Sequence, residues 1–277
     1  MLKLLKRTKL MYNILILLFA RPKLQRFYGG LFRILIGLMG YMNWSADFKM
    51  TGEKNLIRYL DKYNLNCALD IGANTGQWAK MALTNSNISV ISIEPQTKIY
   101  SELKLIENEF KNRFHSFNLA IGSKSAKIRM HTHDTSSELS YIDDRLGLMP
   151  LLNGKSSTVE EVSMQTLDQL YRTHTKLFSR VDFIKIDVEG YEMEVLLGAQ
   201  KFFESVRPKF IQIEINWHLL FTKSSLYQIG ELLLDYSCYK ILPSGKPLHK
   251  IDHLHPMNNI FQLSNVLFIR NDFIFKI

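Results

Sequence analysis

The sequence predicts an α/β protein with a central, mostly parallel sheet flanked by helices and an N-terminal helical appendage. Three apolar runs carry the prediction: Cys67 to Leu69 ends on Asp70, Ile88 to Ile93 ends on Glu94, and Phe183 to Ile186 ends on Asp187. A glycine-containing turn and a helical pattern follow the first and third runs, as in strand–helix–strand units. Since the carboxyl ends of parallel strands meet at one sheet edge, the three acidic residues should share a crevice.

The first half of the sheet follows from alternating strand and helix patterns. Helical periodicity over residues 53–63 precedes the first strand. The expected elements are then a strand at 67–71, a helix at 76–84, a strand at 88–94, a helix at 97–110 and a strand at 114–121. Apolar residues recur at helical spacing in the helices and form short β-branched runs in the strands, which distinguishes the two kinds of element.

The second half begins with a strand at 126–133, whose residues alternate in polarity. Residues 134–158 are rich in Ser, Thr, Asp and Gly and predict a long loop. The remaining elements are a strand at 159–164, a short helix, the strand that ends at Asp187, a helix at 191–205, a strand at 209–215, a helix at 225–236, and strands near 239–243 and 265–270. Pro208 is expected to separate the helix from the strand after it.

Glycine spacing after the first strand indicates which nucleoside the crevice binds. The run is Asp70-Ile-Gly72-Ala-Asn-Thr-Gly76. A dinucleotide fingerprint starting at Gly72 would need glycine at positions 74 and 77, where Asn74 and Gln77 stand. The spacing instead suits S-adenosylmethionine, with the turn beside its amino-acid end and an acidic strand end on its ribose. An ordinary tight turn would use the same glycines.

A second group of polar residues follows the strand at 183–186. Alternation along an extended chain puts Lys185, Asp187 and Glu189 on one side. Asp187 and Glu189 would also suit a helix N-terminus, where the dipole favours acids. Lys185 is harder to explain structurally, because a lysine in a buried strand is costly unless it is paired. Glu214 and His218, in the run IEINWH, follow another apolar strand and are further candidates.

Five motifs in order resemble the FkbM family of S-adenosylmethionine-dependent methyltransferases. They are LDIGANTGQW, SIEP, NLAIGS (118–123), TLDQL (166–170) and FIKIDVEGYEMEVLLGA, and the match covers roughly residues 66–217. The resemblance implies a Rossmann-like class I methyltransferase fold and O-methyl transfer to hydroxyls of sugars or secondary metabolites. It also implies which residues hold the cofactor: Asp70, Gly72, Asn74 and Gly76 at the methionine end, Glu94 on the ribose, and Asn118 and Ala120 beside the adenine.

The expected reaction is direct methyl transfer to a hydroxyl of a sugar, glycan or glycolipid precursor. Alignment of acceptor and methyl group is the main requirement, and a base within hydrogen-bond reach helps because a sugar hydroxyl has a high pKa. Asp187 is the first candidate for this base, and Glu189, Glu214 and His218 are the next candidates. Lys185 would hold Asp187 in place or lower the pKa of the attacking hydroxyl. No metal site is predicted, since the spacing of Asp187 and Glu189 alone does not show one.

Two other functions fit parts of the sequence. The first is a methyltransferase-like scaffold at a membrane without catalytic activity, and the second is a nucleotide-dependent oxidoreductase. The glycine spacing argues against the second. No sequence motif identifies the methyl acceptor. Residues 134–158 and the region after Trp217 are expected to shape the acceptor site.

The basic charge of the chain is confined to its N-terminus. Residues 1–50 hold nine Lys or Arg and one Asp, whereas the remaining residues hold 26 basic and 25 acidic side chains. A nucleic-acid-binding protein would have its basic patch beside the crevice, so nucleic acid is not expected as a partner. Only two cysteines occur, without metal or disulfide spacing, which favours a reducing cytoplasm.

Residues 1–50 are predicted to form a basic, apolar helical segment, followed by the methyltransferase domain at 51–277. Neither apolar patch, 10–20 nor 27–44, reaches the ~20 residues that span a bilayer. Basic and aromatic residues together favour helices lying in the interface, with residues 1–44 peripheral at the inner face of the cell membrane. A helical lid on the domain and a signal peptide are the two alternatives.

Overall fold

The computed structural model describes residues 2–41, 47–133, 136–142, 157–244 and 246–275. Its central sheet has eight strands in the order β11-β10-β12-β9-β8-β1-β2-β3. The strands are β1 (Cys67–Ile71), β2 (Ser89–Ile93), β3 (Phe114–Phe117), β8 (Val181–Ile186), β9 (Phe210–Ile215), β10 (Tyr236–Ile241), β11 (Leu248–Lys250) and β12 (Ser264–Arg270). The five strands from β3 to β9 are parallel, and β12, β10 and β11 continue the sheet in antiparallel fashion.

Helices cover both faces of this sheet and also precede it. They are α1 (Leu2–Phe19), α2 (Gln25–Leu38), α3 (Glu53–Leu60), α4 (Gln77–Asn85), α5 (Thr97–Glu109), α6 (Leu167–Thr173), α7 (Thr175–Phe178), α8 (Glu192–Leu197), α9 (Gln200–Val206) and α10 (Leu226–Leu232). The predicted α/β class, with a mostly parallel sheet between helices and an N-terminal helical region, is confirmed.

The two sheet faces bury separate apolar clusters because side chains alternate along each strand. Leu69, Ile184 and Ile213 point into a cluster with α6, α8, α9 and α10. Ala68, Phe183 and Leu267 point to the other face, against α3 and α4. All five residues of β1 are buried, as is typical of a strand covered on both sides.

Two predicted elements are each divided in the structure. The strand expected at 114–121 is split at Asn118 and Leu119 into β3 and a two-residue strand, β4 (Ala120–Ile121), which lies in a different sheet. The helix expected at 191–205 is split at Gly198 and Ala199 into α8 and α9. A Cβ at Gly198 would lie 2.0 Å from the carbonyl oxygen of Gly122, so the close approach of the β4 segment requires the break.

A second, four-stranded sheet has the order β4-β7-β5-β6, with β5 (Ala126–His133), β6 (Ser136–Ile142) and β7 (Ser157–Gln165). The prediction of a continuous loop at 134–158 is therefore wrong for residues 136–142, which pair with β5. Polar strands of this kind lack the apolar periodicity that identifies strands in a sequence. Residues 134–135 and 143–156 of the predicted loop lie outside the described residues.

The N-terminal helices α1 and α2, together called the hairpin below, are connected through residues 20–24, and the Tyr28 hydroxyl donates a hydrogen bond to the carbonyl of Phe19 (2.9 Å). Most of its described side chains are exposed. Contact with the rest of the molecule comes at the end of α2, where Ile36 and Tyr41 are buried. No helix within the described part of the chain is both long and apolar enough to cross a bilayer.

Candidate active site

The turn between β1 and α4 is shaped by contacts within the protein. Gly72 has φ +83°, and a Cβ there would lie 1.9 Å from the carbonyl oxygen of Asp187. Gly76 has φ +77°, and its Cβ would meet the side chains of Leu103 and Ile106. Glycine is therefore needed at both positions for backbone conformation and for packing against neighbouring segments. The sequence had related these glycines to ligand approach, and their role in binding stays a prediction.

Glu94, at the end of β2, is held in a fixed orientation by the chain around it. Its two carboxylate oxygens accept hydrogen bonds from the backbone N–H of Asn74 (2.9 Å) and of Gln96 (3.0 Å). Asn74 sits in the turn with φ +49°. Burial raises the pKa of Glu94 to about 7, although these donors favour its charged form. A carboxylate offers about four acceptor positions, so two backbone donors leave capacity for hydroxyl groups.

The residues around Glu94 fit S-adenosylmethionine, the cofactor that the sequence predicts. An oriented carboxylate beside a glycine turn suits the adjacent hydroxyls of a ribose. Asn118, exposed beyond β3, donates from Nδ2 to the carbonyls of Glu94 (2.9 Å) and Pro95 (3.0 Å), which fixes the loop where the adenine would lie. Turn residues 72–76 would hold the amino-acid end.

Asp70 and Ala120, like Glu94, are buried. Asp70 is fully buried in β1, with its Cα partnered by Ser92 and Lys185 on the neighbouring strands. Ala120 lies in β4 and packs with Val162 and Met164. Neither role is tested by these positions, and both stay predictions.

Lys185 lies buried between two of the predicted acidic residues. Its Nζ is 2.8 Å from Oδ2 of Asp187 and 3.8 Å from Oδ1 of Asp70. Burial by itself would lower the pKa of Lys185, but the charges of Asp187, Asp70 and Glu53 outweigh it and raise that pKa. Burial also raises the pKa of Asp70 to about 6, against the opposing effect of Lys185. The lysine thus has the partners that a buried cation requires.

A polar network behind Lys185 was not foreseen from the sequence. Gln212, the Cα partner of Lys185 on β9, donates from Nε2 to Glu53 (2.7 Å) and to Asn265 (3.0 Å). Glu53, the first residue of α3, also accepts from the Thr51 hydroxyl (2.7 Å). A glutamine in the middle of the apolar run FIQIEI was the available signal, since buried polar groups need partners.

Four further polar side chains, those of Glu189, Glu214, Asn216 and His218, meet at the carboxyl ends of β8 and β9. His218 Nδ1 lies 2.7 Å from Oε2 of Glu189. Glu189 has φ +54°, so a non-glycine residue holds a left-handed backbone at this turn. Asn216 donates from Nδ2 to Glu214 (2.7 Å) and, more weakly, to Glu189 (3.5 Å). The pKa of Glu214 is raised well above its ordinary value by burial and by the charges of Asp187 and Glu189.

Of the predicted catalytic residues, Lys185 and Glu214 therefore lie near the carboxyl ends of the adjacent strands β8 and β9, and Asp187 and Glu189 follow β8. His218, after β9, joins them. Within the described ranges, no group of three or more His, Cys, Asp or Glu side chains is arranged to hold a metal ion. The arrangement can orient a hydroxyl group, accept its proton and keep a cation next to developing negative charge.

Replacing Glu94 with alanine is expected to weaken binding of S-adenosylhomocysteine by roughly 1–3 kcal/mol, the loss that follows from removing charge-assisted hydrogen bonds. Binding should also depend on pH. Since the pKa of Glu94 is about 7 before binding, it is mostly protonated at pH ~6 and mostly ionised at pH ~8. The ionised form accepts hydroxyl hydrogen bonds better, so affinity should rise with pH and binding near pH ~7 should release a proton.

Isothermal titration calorimetry in two buffers of different ionisation enthalpy measures that proton. The isosteric variant Glu94→Gln, which cannot titrate, is the control and should release none. A proton release that persists in Glu94→Gln would contradict the assignment of Glu94 to the ribose.

Comparison with known proteins identifies the family. A family model described as the methyltransferase FkbM domain matches residues 70–237. No curated protein matches the sequence. Among solved structures, the chain is similar to a putative RNA methyltransferase from Pyrococcus horikoshii (12% identity, 82% of this chain and 91% of that chain, TM-score 0.38).

It is also similar to a putative methyltransferase from Escherichia coli (11% identity, 79% and 83% coverage, TM-score 0.40) and to precorrin-6y C5,15-methyltransferase from Geobacter metallireducens (13% identity, 79% and 87% coverage, TM-score 0.36). Likenesses this distant carry no information about the acceptor. The family match, in contrast, spans more than half of the chain and includes Asp70, Glu94 and the residues from Lys185 to His218. The protein therefore belongs to the FkbM methyltransferase family, and its methyl donor is S-adenosylmethionine.

Proposed function

We propose that the protein methylates a hydroxyl group of a sugar, glycan or glycolipid precursor. The contact between Glu189 and His218 carries this proposal, because a hydroxyl with a high pKa needs a base where the acceptor sits. His218 Nδ1 lies close to the Glu189 carboxylate, and a proton on that nitrogen would leave Nε2 to accept the hydroxyl proton. An amine acceptor would have less need of this carboxylate–imidazole pair.

The other polar side chains have complementary roles in this proposal. Asp187 accepts a hydrogen bond from Lys185 at Oδ2, which holds its carboxylate in place, so Asp187 is suited to orient the acceptor hydroxyl. Burial and nearby acids favour the protonated form of Glu214, which suits it to donate a hydrogen bond to the acceptor. The cofactor supplies an electrophilic methyl group when bound, and residues 72–76, Glu94 and Asn118 would hold it.

The charge of the crevice supports a neutral acceptor over nucleic acid. Among the described residues, Asp187 and Glu189 follow β8 at this edge, with Lys185 paired to Asp187. A polyanion would be repelled there, because binding to phosphates relies on lysine and arginine. Binding of the cofactor without any methylated product would favour the non-catalytic scaffold instead.

Methylation is tested with tritiated S-adenosylmethionine and glycan or glycolipid extracts of the source cells. A methyl ether should survive mild alkali, whereas a methyl ester would release volatile methanol. Acid hydrolysis should then yield an O-methylated sugar on chromatography. Label recovered as methanol or as an N-methyl compound would contradict hydroxyl methylation.

We further propose that residues 1–50 form a unit separate from the domain at 51–277 and attach it to the inner face of the cell membrane. Arg21, Lys23, Arg26 and Arg33 are exposed, as are most apolar residues of the hairpin. Each basic side chain near an anionic surface contributes ~1 kcal/mol, and this attraction weakens with salt. Exposed apolar side chains would enter the interface without a spanning helix.

Deletion of residues 1–44 is expected to release the protein from phosphatidylcholine vesicles that contain phosphatidylglycerol, because the deletion removes the basic and apolar side chains that would contact the lipid. Flotation measures the bound fraction, and titration with S-adenosylhomocysteine checks that the shortened protein still binds cofactor. Arg21→Glu with Lys23→Glu should weaken flotation, whereas Lys124→Glu, an exposed lysine on the domain, should not. Loss of cofactor binding on deletion would show that the segment is a structural lid.

A further inference from the structure

The N-terminal hairpin, residues 2–39, is attached at the same sheet edge as the active site. Tyr41, just after it, donates from its hydroxyl to the carbonyl of Met257 (3.1 Å), and its ring lies over Lys240 Nζ, 3.3 Å from the ring centroid. β10 runs parallel to β9, because each is antiparallel to β12. The carboxyl end of β10, where Tyr41 binds, is thus on the edge where β1, β2, β8 and β9 end.

The residues just before α3 also pack at this edge of the sheet. Gly52 has φ +84°, and a Cβ there would lie 2.4 Å from the carbonyl oxygen of Leu242, which follows β10. Glu53, the next residue, binds Gln212, the strand neighbour of Lys185. The end of the hairpin and the start of α3 are therefore both packed against the carboxyl end of β10, at the edge of the crevice.

The hairpin has the surface of a segment that lies in a bilayer interface. Eight apolar side chains of α1 expose between 47% and 78% of their area on all sides of the helix: Met11, Tyr12, Ile14, Leu15, Ile16, Leu17, Leu18 and Phe19. On α2, Phe27, Phe32 and Ile34 are similarly exposed. A stable soluble protein rarely exposes so much contiguous apolar surface. Arg21, Lys23 and Arg26 flank it, which favours an anionic lipid surface as its partner.

Exposed apolar side chains also occur on two loops at the edge of the crevice. Leu220 is 53% exposed in the segment that carries His218, and Met257 is 58% exposed next to Tyr41. Both loops lie at the edge where the hairpin attaches. A bilayer that receives the hairpin would therefore also lie against this rim, whereas the turn between α5 and β3, around Lys111, belongs to the opposite edge.

We propose that the crevice faces the membrane and that the acceptor is an amphiphile, with an apolar tail in the bilayer and a hydroxyl-bearing head group that reaches His218 and Asp187. This inference rests on the proposed function and narrows its acceptor to lipid-linked molecules. Water-soluble sugars would have to reach a site that the bilayer covers.

Nitroxide labels on the full-length protein test the orientation. Cys67 and Cys238 are buried, so a label should react with a cysteine introduced at the surface. On protein bound to vesicles that contain phosphatidylglycerol, labels at Leu220→Cys and Met257→Cys should become accessible to oxygen in the bilayer and shielded from a water-soluble nickel chelate. The matched label at Lys111→Cys should stay accessible to the chelate.

Equal chelate access at Leu220→Cys, Met257→Cys and Lys111→Cys in vesicle-bound protein would overturn the orientation. Failure of the full chain to bind vesicles would do the same, as would sedimentation showing that the hairpin pairs two copies of the chain instead. Tritiated product should partition into butanol with lipids, and label confined to water-soluble saccharides would overturn the acceptor class. Titration with S-adenosylhomocysteine on the same samples distinguishes these failures from a failure of methyl transfer itself.

Discussion

Replacing Lys185 with alanine is expected to lower the free energy of unfolding by about 3–5 kcal/mol, because it leaves buried carboxylates without their cation. Asp70 is fully buried, and Asp187 would lose its 2.8 Å contact with Nζ. Urea unfolding followed by circular dichroism measures the change. Lys127→Ala, which removes an exposed ion pair with Glu161, is the matched control and should cost less than about 1 kcal/mol.

The loss in Lys185→Ala should shrink as pH falls. Burial raises the pKa of Asp70 to about 6 even with the lysine present, so the folded protein binds more protons than the unfolded chain between pH 3.8 and about 6. The contribution of Asp70 to the free energy of unfolding therefore increases as the pH is lowered from about 6 to 3.8. Without Lys185, the upper limit of this pH range should move to a higher pH. A pH-independent loss would show that Lys185 acts through packing and not through charge.

Replacing His218 with alanine is expected to lower kcat about 100-fold to 10,000-fold, the range for removing a general base. Affinity for S-adenosylhomocysteine should change little, since His218 lies beyond the ends of β8 and β9 with Glu189, and Glu94 follows β2. Tritium transfer from labelled S-adenosylmethionine to the lipid extract measures the rate. His115→Ala, an exposed histidine on β3, is the control and should retain full activity.

Added imidazole separates chemistry from structure in His218→Ala. If His218 accepts the hydroxyl proton, imidazole should restore part of the rate and should have no effect on the original protein. Substitution of Glu189 with glutamine should lower the rate as well, because the carboxylate beside Nδ1 would be lost. Unchanged activity in His218→Ala would move the role of base to Asp187.

The acidic residues at the carboxyl ends of the strands could be predicted, because each follows a short apolar run that is visible in the sequence. Asp70, Glu94 and Asp187 each close an apolar run, and parallel strands bring such residues to one edge. The family resemblance rested on the same residues. The structure supports the pairing of Lys185 with Asp187, since a lysine within a buried strand must find a carboxylate.

The hydrogen-bond network that joins Thr51, Glu53 and Gln212 could not be predicted, because 159 residues separate Glu53 from Gln212 in the sequence. No local pattern relates the first residue of a helix to the middle of a distant strand. The β6 strand was missed because its residues lie in a stretch rich in Ser, Thr and Asp, a composition typical of a loop, and only the pairing with β5 identifies it as a strand.

By itself, the sequence determined the class of fold, the cofactor and the concentration of basic charge in residues 1–50, because each is written in local spacing or composition. Tertiary structure decided which side chains meet. It joined His218 to Glu189, surrounded Lys185 with carboxylates and placed the hairpin on the edge of the sheet that carries the active site. Those outcomes depend on strand order and on long-range packing, which the spacing of residues along a chain does not specify.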